Sequence, residues 1–168
     1  MKHKAQSVAL TGVCVALALG LSYLEVILPP IVAAVPGVKI GLANVVVLVL
    51  LYRFGVWRAA LVSALRILLM FLLFGNVLSL LYSVAGATLS IALMFALKQT
   101  GLFSRVVVSS LGGVAHNVGQ ILMAILLLGV AEMGYYLIVL AITGCVFGAV
   151  VGLIPMPTVR VYFTTPRQ

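Results

Sequence analysis

The chain has 168 residues, 65% of them hydrophobic and only 7% charged, with a mean hydropathy of +1.36 and a formal net charge of +8. A water-soluble domain of this size could not bury so much apolar surface, so the composition points to a polytopic membrane protein forming one domain over 1–168. Aspartate is absent and the only acids are Glu25 and Glu132, which excludes paired-Asp chemistry and Asp-rich magnesium sites for diphosphates.

Gly, Pro and charged residues cut the chain into six apolar segments, which predicts an all-α bundle of six transmembrane helices. The first is Ala5 to Leu28, ended by Pro29-Pro30. The start MKHK mimics a signal peptide, but the apolar run is long and leads into further membrane segments, so it is read as an uncleaved first helix. Ala5, Ala9, Gly12, Ala16 and Gly20 fall within about an 80° arc of that helix. Such a small-residue stripe lets another helix approach closely, either inside the bundle or from a second membrane protein.

The connection PPIVAAVPGVK, Pro29 to Lys39, holds three prolines and a glycine and excludes a regular helix. It is a capping loop, a re-entrant segment or an ordinary connection. The second segment, Ile40 to Phe54, is short, roughly 22 Å at 1.5 Å per residue. The third, Trp57 to Phe74, carries Arg66 at its middle. A charge there is costly and by default marks a bundle interior, a wet cavity or a ligand. Both glutamates are placed near the outer surface, so Arg66 is expected to lack a membrane-embedded acid. It must bond to carbonyls and amides, reach water or bind an anion.

The fourth segment, Val77 to Leu97, puts Ser79, Ser83, Gly86 and Ser90 on one face, with Asn76 at its outer end. The fifth, Val106 to Leu128, puts Ser109, Gly113, His116 and Gln120 on one face, with Asn117 beside it. Polar groups in lipid need partners, so both faces are expected to point inward. The sixth, Tyr135 to Ile154, carries Gly144, Gly148 and Gly152, a packing stripe. Cys14 and Cys145 fall within apolar segments and read as buried thiols.

Eight bases, Lys2, Lys4, Arg53, Arg58, Lys98, Arg105, Arg160 and Arg167, fall on one side of an alternating six-helix path. Lys39 and both glutamates fall on the other. The positive-inside rule then places both termini in the cytoplasm. Bases confined to helix ends are topology signals and anchors for anionic membrane lipid, not a nucleic-acid surface.

Asn44, in the first turns of the second segment, joins Arg66, Asn76, His116, Asn117 and Gln120 in a candidate polar core. Each amide has an alternative role as helix-to-helix glue. No second His, Cys or acid stands at metal-ligand spacing from His116, so neither a metal nor another cofactor is expected. A nucleophile–base pair and a phosphate loop are also missing, so no catalytic residue is assigned.

The stretches VPGVKIGLANVVVLVLLYRFG (Val35 to Gly55), GNVLSLLYSVAGATLSIALM (Gly75 to Met94) and SSLGGVAHNVGQILMA (Ser109 to Ala124) resemble a bacterial integral membrane family. That family is labelled both heptaprenyl diphosphate synthase component I and Gx transporter family. It resembles in turn the S components of energy-coupling factor transporters. Those are six-helix proteins whose first helix presents small residues to a transmembrane coupling subunit driven by a pair of ATPases, and which bind substrate near the outer face.

The S-component resemblance implies a substrate-binding subunit for a small amphipathic or anionic molecule. Arg66 and Lys39 would attract the anion, while Asn44, Asn76, His116, Asn117 and Gln120 orient it. Ala5, Ala9, Gly12 and Ala16 would dock to the coupling subunit. The synthase label implies instead a noncatalytic membrane partner of a prenyl synthase catalytic subunit, with the basic cytoplasmic loops as the operative surface.

Overall fold

A computed structural model describes residues 2–27, 42–74, 77–129 and 134–154, the side chains of 2–4 and 26 excepted. Among the described residues six α-helices follow one another: α1 (Lys2–Ile27), α2 (Asn44–Arg53), α3 (Val56–Phe74), α4 (Val77–Thr100), α5 (Arg105–Leu128) and α6 (Tyr136–Leu153). The chain is therefore a multi-pass helical membrane bundle, with each boundary close to the punctuation that predicts it.

Five of these helices are long and apolar enough to cross a bilayer, and α2 is not. Its 10 residues rise roughly 15 Å, about half of a hydrocarbon core. At one end Leu42 and Ala43 form a turn whose carbonyls accept from Val45 and Val46 at 3.1 Å. At the other, Gly55 takes φ 91°, a left-handed conformation that favours glycine, and its N–H bonds to the Leu50 carbonyl at 3.0 Å. Lys98 Nζ donates to the Leu51 carbonyl at 2.7 Å, placing a cation at the negative end of the helix.

Short as it is, α2 lies at the centre. Val47, Leu48, Leu50 and Leu51 are buried, and their cluster gathers Val15 and Ala18 of α1, Ala59 and Val62 of α3, Met94 of α4, Val108 of α5 and Val151 of α6. The outer faces of the long helices carry exposed Leu, Val and Ile, as lipid contact requires.

The glycines of α5 and α6 close that seam to backbone contact. A Cβ at Gly144 would stand 2.7 Å from the Gly113 carbonyl oxygen, and one at Gly148 would stand 2.5 Å from the Ser109 carbonyl oxygen. The α4–α5 seam closes the same way, with a Cβ at Gly119 falling 2.7 Å from the Ala85 carbonyl oxygen. The glycine stripe of α6 is thus a packing face. Cys14 and Cys145 are free thiols, but Cys145 lies on an exposed face of α6, which corrects the expectation that both are buried. Glycine packing turns the opposite side of α6 inward and leaves Cys145 outside.

Candidate functional site

Arg66 lies between α1 and α3. It is buried, and its Nη1 donates to Ser22 Oγ at 2.9 Å. The carboxylate of Glu25, one turn further along α1, is within electrostatic reach of the guanidinium. One Glu25 oxygen accepts from the Leu42 N–H at the entrance to α2. Arg66 thus has one acid within electrostatic reach, where the sequence led to the expectation of no membrane-embedded acid. Val15, Ala18, Ser22 and Glu25 share the inward face of α1 through i, i+3 and i+4 spacing, so that face carries a hydroxyl and a carboxylate into the bundle. The spacing was a usable signal, masked by the position of Glu25 near the end of an apolar run. Arg66 Nε has no hydrogen-bond partner among the described residues.

The remaining predicted site residues lie elsewhere. His116, Asn117 and Gln120 are buried on α5 as expected. His116 and Gln120 press on Gly86 of α4, where an added Cβ would stand 3.0 Å from the His116 ring and from Gln120 Cγ. Asn117 turns to α6 and donates from Nδ2 to the Leu140 carbonyl at 2.7 Å. Asn117 therefore joins two helices, as a buried amide in lipid often does. Gln120 Nε2 has no hydrogen-bond partner among the described residues. Asn44 is half-buried at the start of α2. Lys39, Asn76 and the Pro29–Lys39 connection lie outside the described residues. The predicted polar set is thus distributed over the α1–α3, α4–α5 and α5–α6 seams.

Bases gather at the end where α2 and α4 finish and α3 and α5 begin. Arg58 donates to Ser7 Oγ at 2.8 Å and lies 5.1 Å from the centre of the Phe54 ring. Lys98 lies 5.2 Å from the Tyr52 ring centre, Arg105 is within electrostatic reach of Tyr52, and Trp57 is 85% exposed. This end joins cations with interfacial aromatics. The predicted docking stripe, Ala5, Ala9, Gly12 and Ala16, faces outward, and a Cβ at Gly12 would meet no atom within 4 Å.

Sequence reasoning gave no sign of an open groove between α3 and α4. Its volume is about 640 Å³, within the range of roughly 300–1,000 Å³ usual for ligand pockets. Ser63 and Ile67 of α3 and Ala87 of α4 form the floor, while Ala64, Leu68 and Val84 stand exposed at the rim.

A family model described as heptaprenyl diphosphate synthase component I matches residues 14–156. The chain belongs to that family. The match spans α2 to α6 in full and includes Arg66, Ser22, Glu25 and both sides of the groove. Comparison with curated proteins and with solved structures finds no match.

Proposed function

We propose that the chain is a noncatalytic membrane component of a prenyl diphosphate synthase. The observation that carries this reading is family membership over residues 14–156. A chain without aspartate lacks the carboxylate clusters that would hold magnesium and diphosphate, so catalysis falls to another subunit. Its contribution is place: a multi-pass anchor in the bacterial cytoplasmic membrane, with the basic end and both termini toward the cytoplasm. Arg53, Arg58, Lys98 and Arg105 form the surface offered to the catalytic subunit. Purification from the native membrane in mild detergent, with mass spectrometry of what accompanies it, tests this. The expected companion is an Asp-rich prenyl synthase, lost when the four bases are replaced together by glutamine.

A second reading is a substrate-binding, S-component-like subunit of a transporter. The outward small-residue face of α1 favours it, since Ala5, Ala9, Gly12 and Ala16 offer a second membrane protein a close approach. Arg66 and Lys39 would then serve an anionic substrate, with Asn44, Asn76, His116, Asn117 and Gln120 orienting it. Recovery of a transmembrane coupling subunit with ATPases would replace the first reading by this one. An Ala9→Leu variant that still assembles normally with that subunit would remove the docking face.

A further inference from the structure

We propose that the α3–α4 groove holds the hydrocarbon chain of a prenyl diphosphate, with the diphosphate at the basic end of the bundle. The choice of ligand rests on the synthase reading; the site rests on the geometry. Four alanines, Ala60, Ala64, Ala87 and Ala92, hollow out the seam, where glycine closes the α4–α5 seam on the other side of α4. The groove runs from Leu68 to Ala60 along α3 and from Leu80 to Ala92 along α4, roughly 12 Å and 18 Å of helix. It opens toward lipid between the exposed rims of Leu68 and Val84. A membrane-dissolved chain can therefore enter sideways without crossing water.

Charge selects the head. Ala60 lies two residues beyond Arg58, and Ala92 lies six residues, roughly 9 Å of helix, before Lys98. The groove therefore ends near the depth of Arg58 and Lys98, which Ser7, Phe54, Leu51 and Tyr52 hold at the basic end of the bundle, an end that favours a diphosphate over an uncharged head.

The test uses the full chain in phosphatidylcholine nanodiscs and radiolabelled heptaprenyl diphosphate. Saturable binding is expected, displaced by unlabelled heptaprenyl diphosphate and at least tenfold less well by heptaprenol. Ala64→Leu and Ala92→Leu should each weaken binding at least tenfold, while Val146→Leu on the lipid-facing side of α6 leaves it unchanged. Equal displacement by phosphatidylglycerol would make the groove an ordinary acyl-chain site and overturn the proposal. So would wild-type affinity in both alanine variants. Should those variants fail to fold, a diazirine-bearing prenyl diphosphate on the unaltered protein decides the matter. Labelling within 60–68 and 80–92 supports the groove, and labelling confined elsewhere overturns it. If binding fails while a synthase still co-purifies, the groove is lost and the synthase reading stands. If binding succeeds with no synthase companion, the partner reading is lost and the groove stands.

Discussion

The seams on the two sides of α4 are built from small residues, yet one is closed and the other is open. On the α5 side, Gly86 and Gly119 bring backbone against backbone. On the α3 side, Ala60, Ala64, Ala87 and Ala92 leave a cavity of about 640 Å³. A glycine removes the last atom that holds two helices apart. An alanine keeps the spacing and merely fails to fill it. In a bilayer no hydrophobic force drives two apolar faces together, because lipid tails solvate them equally well. A seam closes only where close backbone approach makes contact with the neighbour better than contact with lipid. The α4–α5–α6 half satisfies that condition. The α1–α2–α3 half relies instead on a buried charge group and on the apolar cluster around α2.

That contrast can be broken most severely at the closed seam. Gly144→Leu should destabilise the bundle by about 3 kcal/mol or more, because the new side chain meets the Gly113 backbone and the buried Asn117 amide. Thermal unfolding in mild detergent would read the loss, or its extreme form, failure to recover a monodisperse protein. The charged half gives the next largest effect. Glu25→Gln should cost about 2 kcal/mol by leaving Arg66 without its acid. Adding Arg66→Met should cost less than the two single changes summed, and a double-mutant cycle measures the difference.

Asn117→Ala should cost about 1 kcal/mol through loss of the bond to the Leu140 carbonyl. Lys98→Met should cost about 0.5 kcal/mol by uncapping α2 at Leu51. At the open seam, Ala64→Leu should change stability by less than about 0.5 kcal/mol, since the added atoms enter space and not backbone. A leucine tolerated at position 64 and ruinous at position 144 would confirm the distinction. Equal penalties at both positions would abolish it.

The helices themselves were largely legible, for a physical reason. Lipid demands long uninterrupted apolar runs, and Gly75, Asn76, Gly101 and Gly129 interrupt them visibly. The inward faces were legible too: Ser83, Ser90, Ser109, His116 and Gln120 are buried where their spacing places them. Periodicity says which side of a helix is polar but not which neighbour that side meets. It could not separate Asn117, bonded to α6, from His116, packed on α4, although the two are adjacent in sequence. The groove was hidden for the same reason, since alanines can mark a hollow or a tight contact. Arg66 stood out by charge alone. Its link to Ser22 and Glu25 needed the rotation of α1 to be known.

The ten-residue α2 has a consequence for how the chain enters a membrane. An insertion channel releases a segment sideways when its own apolar length satisfies the bilayer, and α2 spans only about half of that thickness. What makes it stable is supplied by others: the Glu25 carboxylate receives the Leu42 N–H at its entrance, the Lys98 ammonium caps its exit, and all five other helices contribute to the apolar cluster around it. Lys98 is made forty-five residues after Arg53 ends the helix. Until α4 emerges, the middle of this bundle is therefore a passenger of α1 and α3, and the protein's centre is among the last parts to become membrane-stable.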